Sequence, residues 1–241
     1  MVNRVNKAII MAAGFGTRMR PLTLKTPKPL VKVNGRVMIE SIIEALHRNG
    51  ITEIYVVVGY LQEKFEYLTK KYSNLVLVKN PYYAKYNNIS SLYVIRDKLS
   101  DVVILDGDQL IKNVQILKPE FDRSGYACSW TDTWSDEWIL NIDEHGIVNR
   151  CSRDGGKKGW RLYSISKWDK NTGKKLRKYL EFEFEQNKNY DIYWDDVAMF
   201  YHLKEFELGI QKISPKDLCE IDDVEQLVEL DSSYQTYLRG V

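Results

Sequence analysis

The 241-residue chain contains no apolar run of about 18 residues, the length a bilayer-crossing helix needs. Its opening segment, MVNRVNKAIIMAAG, has an apolar stretch that glycine interrupts almost at once, so it does not read as a secretory leader. A cytoplasmic protein is therefore expected. Cysteine is scarce: Cys128, Cys151 and Cys219 are odd in number and far apart, which argues against a disulfide framework and a zinc site. Reduced, structural thiols are expected instead. Net charge is almost absent, since 35 basic and 33 acidic residues leave +2. So even a balance argues against nucleic acid or an anionic membrane as the partner. There is no internal repeat and no low-complexity linker. A hydrophobic share of 44% is enough for a core, and the length suits one α/β domain.

Aromatic residues are plentiful by contrast. There are 16 tyrosines and six tryptophans, and all the tryptophans but Trp194 fall between Trp130 and Trp168. The first half of the chain alternates strand and helix patterns. Short apolar runs at 7–12, 54–58, 75–78 and 102–105 read as buried strands. Helical spacing at 37–48, with a stop at Asn49-Gly50, and at 62–71 and 89–99 fills the intervals. Four strands joined by helices predict a doubly wound parallel sheet. In the second half, 127–131, 138–142, 146–151 and 160–166 read as short strands. Helices are expected at 170–186, 192–201 and 224–238, and extended chain at 204–213 and 218–221. This half should continue the sheet and add a small β-rich lid. The whole, 1–241, is expected to form a single domain with two halves, about 1–110 and about 111–241.

The segment after the first strand carries the strongest chemical signal. It runs Met11-Ala12-Ala13-Gly14-Phe15-Gly16-Thr17-Arg18-Met19-Arg20-Pro21-Leu22 and then Lys25-Thr26-Pro27-Lys28-Pro29-Leu30. Two glycines allow a tight turn whose amides can face a polyphosphate that no side chain blocks. Arg18 and Lys28 can neutralise phosphate charge, and the prolines flanking Lys28 hold that stretch extended. The loop lacks the third glycine of the dinucleotide fingerprint and the terminal Gly-Lys-Ser/Thr of the ATPase loop. The full string closely resembles the signature of the nucleotidyltransferase family, which activates phosphorylated sugars and alcohols with nucleoside triphosphates. The resemblance implies a Rossmann-like, mostly parallel or mixed sheet of the nucleotide-diphospho-sugar transferase type. It also implies that Ala12, Ala13, Gly14, Gly16, Thr17 and Arg18 line the nucleotide and that Lys28 bridges to the acceptor phosphate.

Asp106-Gly107-Asp108 follows a strand, at the carboxyl edge where open α/β sheets bind ligands. Alternation puts both side chains on one side of an extended segment, and such oxygens suit Mg²⁺. An Asx turn would account equally for the tripeptide alone. Glu220-Ile221-Asp222-Asp223 reads by itself as a helix cap. The family resemblance instead makes Asp108 and Asp222 the expected Mg²⁺ ligands, with Asp106 in support.

Trp130, Trp134, Trp138, Tyr193 and Trp194 alternate with Asp132, Asp136, Glu137, Asp191, Asp195 and Asp196. Aromatic faces with nearby carboxylates recognise a quaternary ammonium. Core aromatics beside solvated acids are the plain alternative. Residues 86–93, Asp136-Glu137-Trp138, 193–196 and 220–222 together resemble the bacterial CTP:phosphocholine cytidylyltransferases over nearly the whole chain. The resemblance implies CTP and phosphocholine as substrates and CDP-choline and pyrophosphate as products. Trp138, Tyr193, Trp194, Asp195 and Glu220 would hold the head group, and Asn88 and Ser91 would lie near the cytosine. A choline kinase is the expected functional partner or fused domain. Residues 152–158 form a charged insertion that departs from the family pattern. Three other readings stay open: a 2-aminoethylphosphonate or phosphoethanolamine cytidylyltransferase, a sugar-1-phosphate nucleotidylyltransferase, and a silent nucleotide-binding module.

Overall fold

The structure, a computed structural model, describes residues 2–240. The four apolar runs of the first half form strands β1 (Lys7–Ala12), β2 (Glu53–Val58), β3 (Leu75–Lys79) and β4 (Val102–Asp106). They lie parallel in the order β3-β2-β1-β4. Successive residues of β1 serve opposite cores, as the two-residue period of a strand requires. Ala8, Ile10 and Ala12 pack on one side with Ile39, Ile42, Ile43 and Leu46 of α1 (Met38–Arg48). Ile9 and Met11 face the other side. Both faces are covered, which explains why β1 reads as a continuous apolar run. Each fully buried isoleucine contributes ~1.5–3 kcal/mol. Helix α1 stops where expected, with Gly50 at φ +75° donating its N–H to His47 O at 2.9 Å.

The second half continues the same sheet. It supplies β6 (Gly125–Thr131), β7 (Ile139–Ile142), β8 (Val148–Ser152), β9 (Gly159–Trp168) and β10 (Gly209–Lys212), while β5 (Gln109–Ile111) and β11 (Leu218–Glu220) pair as a separate two-stranded sheet. β9 inserts antiparallel beside β4, with Ile165 opposite Leu105. β6 follows on its far side, and β10 joins β6 in parallel. The β7–β8 hairpin, the expected lid, attaches to the first part of β9 through Leu140 and Trp160. The sheet is thus mixed, with a parallel nucleus.

Several helices are shorter than their sequence patterns. Residues 62–71 divide into a 3₁₀ turn, Gln62–Phe65, and α2 (Glu66–Lys71). Residues 89–99 give α3 (Ile89–Tyr93) and a 3₁₀ turn. α4 (Lys170–Glu181) widens into a π-helical turn over Phe182–Gln186. α5 (Trp194–Asp196) is one turn, followed by a π-helical stretch. The closing pattern, 224–238, breaks after α6 (Val224–Leu230) because Asp231 adopts an extended backbone. Asp231 Oδ1 then accepts the Ser233 N–H and hydroxyl, which starts a separate 3₁₀ segment.

Candidate active site

The parallel register sets Met11 beside Asp106, so the glycine loop and the aspartates emerge from neighbouring strand ends. The Gly107 N–H closes the junction on Met11 O at 2.9 Å. A second register brings in the far acidic segment. β5 and β11 pair antiparallel with Gln109 opposite Glu220, which sets Asp108 and Asp222 at the same end of the pair. Gln109 Nε2 donates to Glu220 Oε1 at 2.9 Å and fixes that junction.

Lys28 holds the centre. It is 8% exposed, and its Nζ donates to Asp108 Oδ2 at 2.6 Å and to Asp222 Oδ1 at 2.9 Å. Arg18 Nη2 reaches the same Asp222 oxygen at 2.7 Å from the solvent side. Burial pulls the Lys28 ammonium down, but the charges of Asp108 and Asp222 more than reverse this, and its pKa ends above the ordinary lysine value. Burial pushes Asp222 up, but Lys28 and Arg18 together hold it below the usual carboxylate range. Two carboxylates therefore converge on one cationic group. Gly16, at φ +61°, lets the loop fold over this lysine, since a Cβ there would lie 3.0 Å from Lys28 Cβ. A Cβ on Gly14 would meet nothing within 4 Å, so its backbone faces open space.

Two clefts meet at this centre. The first, about 280 Å³, is lined by Ala12, Ala13, Gly14, Gly16, Thr17 and Arg18 of the loop and by Lys28, Asn88, Ser91, Asp106, Asp108 and Asp222. The second, about 270 Å³, is lined by Trp138, Tyr193, Asp195, Glu220, Glu137, Leu162 and Ser164. Arg18, Asn88, Asp106, Asp108 and Asp222 belong to both. In the second cleft the Trp138 and Tyr193 rings stand nearly perpendicular, at 78° with centroids 6.1 Å apart. Carboxylates occupy its depth. Burial, with help from Glu137, pushes Glu220 up to about 7. Burial, with Asp196 adding, raises Asp195 to about 7. Burial and then Asp108 and Asp195 raise Asp106 well above its ordinary value. Asp195 is buried beside the Tyr126 hydroxyl, which favours its charged form and has no other partner.

Trp194 departs from expectation. It is 3% exposed and packs against Tyr126 and Trp168 in the core, away from the cleft. The one-turn helix α5 sends Tyr193 outward and Trp194 inward, so adjacent aromatics cannot both face a ligand. Its backbone N–H instead donates to Asn88 Oδ1 at 2.9 Å, which commits that amide oxygen to joining the two clefts. Trp130 and Trp134 are surface residues, and Trp134 Nε1 donates to Asp136 Oδ1. Asp196 is buried as a brace: its Oδ2 accepts the Tyr193 N–H, and its Oδ1 lies 2.5 Å from Arg153 Nη2. Arg153 comes from the charged insertion, lies 3.9 Å over Phe200, and so backs the Trp138–Phe200 contact from behind. Leu162 and Ser164 had no sequence signal, because nothing in β9 marks which of its faces meets the cleft. Glu137 was legible only as one acid among many.

A strand-end glycine loop and a lysine shared by two aspartates, beside a second cleft of aromatic and acidic residues, define a nucleotide-dependent transferase. Residues 7–122 match the family of nucleotidyl transferases. The chain is 37% identical over 235 residues to a 2-aminoethylphosphonate cytidylyltransferase of Lancefieldella rimae, covering 97% of this chain and 95% of that one. It is 36% identical over 226 residues to a choline-phosphate cytidylyltransferase of Streptococcus pneumoniae, covering 93% and 96%. The solved CTP:phosphocholine cytidylyltransferase of Streptococcus pneumoniae superposes with a TM-score of 0.86 at 35% identity, over 95% of this chain and 99% of that one. The chain belongs to the nucleotidyltransferase family and stands among its cytidylyltransferases. Among the described residues, no helix is long and apolar enough to cross a membrane.

Proposed function

We propose that this enzyme joins CTP and phosphocholine to give CDP-choline and pyrophosphate. The observation that carries the reading is the junction of the two clefts at Lys28, Asp108 and Asp222. It lets a triphosphate on the glycine loop meet a phosphate whose cationic head lies against Trp138 and Tyr193. An oxygen of the acceptor phosphate attacks the α-phosphorus, the bond to the β-phosphate bridging oxygen breaks, and pyrophosphate leaves. The acceptor phosphate is largely dianionic at neutral pH, so no protein nucleophile or base is required. Lys28 and Arg18 neutralise the oxygens of attacking and leaving groups, which is the main demand of such a transfer.

Asp108 and Asp222 fit Mg²⁺. They present converging hard oxygens, and the Lys28 ammonium that both now hold stands in for a cation. No third metal-ligating side chain joins them among the described residues. That suits an ion that takes one or two carboxylates and completes its shell with phosphate oxygens and water. When bound, Mg²⁺ supplies charge neutralisation to the triphosphate.

A second acceptor has its own support. The Asp195 carboxylate, with only the Tyr126 hydroxyl against it, could take an N–H from the primary ammonium of 2-aminoethylphosphonate, which a quaternary head cannot offer. Pyrophosphate release with each nucleoside triphosphate against phosphocholine, phosphoethanolamine and 2-aminoethylphosphonate decides between them. The expected result is the highest kcat/KM with CTP and phosphocholine; a higher value with 2-aminoethylphosphonate overturns the choline assignment. A kinase acting on free choline would supply the acceptor, and the cytoplasm, where CTP is made, is the proposed location.

A further inference from the structure

At the opposite end of the sheet lies a larger cleft, about 820 Å³, that takes no part in the chemistry above. Lys167 opens onto it. This residue pairs with Val103 near the start of β4, whereas Asp106 ends that strand in the active site. Lys167 is 2% exposed, and among the described residues its ammonium has neither a hydrogen bond nor an ion pair. Its stem is buried and its ammonium opens onto the cleft, and a lysine so enclosed without a partner is uncommon. Gln211 is a second unsatisfied group on the same cleft. Both its amide oxygen and its amide nitrogen are shielded and unpartnered.

The registers show how the two come together. Lys167 stands opposite Gly125, Gly125 opposite Gly209, and Gln211 opposite Ala127, two residues further along. Residues two apart share a face, so Lys167 and Gln211 project to the same side of the sheet. Between them lie two glycines, so the floor there is bare backbone. Arg123 lies over Gly209, close enough that a Cβ on that glycine would come within 3.3 Å of Arg123 Cδ. Lys118 lines the rim and is exposed. The acids nearby do not cancel these charges. Glu120 is engaged by Arg4, and both Asp217 oxygens are taken, by Asn113 Nδ2 and the Ser214 N–H. Asp122 points to solvent on the rim.

We propose that this cleft is a second ligand site, built for the phosphate group of a small phosphorylated molecule, with Lys167 and Arg123 on the phosphate and Gln211 on a neighbouring polar group. The chemistry suits the groups that line the cleft. A phosphate offers acceptor oxygens to a buried ammonium and to a guanidinium fork, while an amide that can both donate and accept suits a hydroxyl or a second oxygen. Burial and the neighbouring Lys118 pull the Lys167 pKa down to about 8, with Glu120 partly opposing them, and an anion on the ammonium would reverse that shift. The volume exceeds what one phosphate ion fills, which favours an organic phosphate over the free ion.

Thermal unfolding in inorganic phosphate tests this, at pH 7 and constant ionic strength against chloride. Active-site binding and general salt effects are common to all variants, so the comparison isolates the cleft. At 20 mM phosphate the wild type should gain about 3 °C more than Lys167→Met, as a millimolar site predicts. Lys118→Ala, at the exposed rim where folding is not at issue, should lose part of the same gain. Equal phosphate shifts in all three proteins overturn the proposal. Ribose 5-phosphate serves as the second probe. A larger wild-type-specific shift than with phosphate assigns the site to an organic phosphate; an equal shift assigns it to the free ion. Turnover of Lys167→Met in chloride should stay within twofold of wild type, so the result stands apart from the cytidylyltransferase assignment.

Discussion

Lys28 would serve both the resting site and the reaction, and one substitution tests the two roles. In the resting site its ammonium holds Asp108 and Asp222 together, and in the reaction it would carry charge on the transferring phosphate. Lys28→Ala should lower kcat by about 10²-fold or more, as loss of a buried charged stabiliser does. It should also destabilise the protein in the absence of Mg²⁺, because two carboxylates then face each other uncompensated. Steady-state kinetics in Mg²⁺ check the first and thermal unfolding with and without Mg²⁺ the second; a near-normal rate removes Lys28 from the mechanism. Trp138 makes the second residue-scale test. If its face meets the cationic head group, Trp138→Ala should raise KM for phosphocholine by about 3–30-fold and leave KM for CTP nearly unchanged. Equal changes in both would assign Trp138 a packing role only. The contrast with Trp194 shows where residue-level reading failed. Both tryptophans sit beside acids in the sequence, and only the single turn of α5 decides that one side chain enters the core while its neighbour Tyr193 lines the cleft.

At the scale of elements, the glycine loop and the parallel strands were legible because their signals are local. The apolar runs, the Asn49-Gly50 stop and the paired glycines each state a backbone preference within a few residues. The antiparallel entry of β9 beside β4 was not legible, since strand pairing is a long-range choice that no local pattern encodes. The same holds for the β5–β11 pair, which brings Asp108 to Asp222 across more than a hundred residues. That Asp222 belongs to the site came from the family resemblance; by itself the segment read as a cap. The structure shows that it is also a cap. Asp223 Oδ1 accepts the Gln226 N–H at 2.8 Å, and Gln226 Oε1 accepts the Asp222 N–H at 2.7 Å. The start of α6 therefore fixes the backbone of a site residue. Asp223→Ala should cost about 1 kcal/mol, or about 2–4 °C in Tm. It should also lower kcat several-fold through misplacement of Asp222. A fall in Tm with kcat unchanged would show that the β5–β11 register alone positions Asp222.

On the scale of the whole molecule, one sheet carries the candidate active site at one end and the proposed phosphate site at the other, and each end holds a buried ionisable group that opposes folding. At the active-site end, burial and Asp196 raise Asp195 to about 7. A carboxylic acid with a raised folded pKa binds its proton more tightly when folded. Its cost is therefore absent below about pH 4, grows as pH rises through the folded value, and is complete above about pH 7. At the other end, burial depresses Lys167 to about 8. A depressed lysine has the opposite dependence: its cost is absent above about pH 10.5 and complete below about pH 8. Both costs overlap near pH 7.5. Asp195→Asn and Lys167→Met should each stabilise the protein there, by about 1–3 kcal/mol, in chloride and without substrates. The sites share no partner, so the gains should add in the double variant. Their pH profiles should diverge: the Asp195→Asn gain fades toward pH 4, and the Lys167→Met gain fades toward pH 10.5. Urea unfolding across that range measures both. If Asp195→Asn destabilises at pH 7.5, the carboxylate is held by its surroundings rather than kept for a cationic ligand, and a recognition role for Asp195 fails with it.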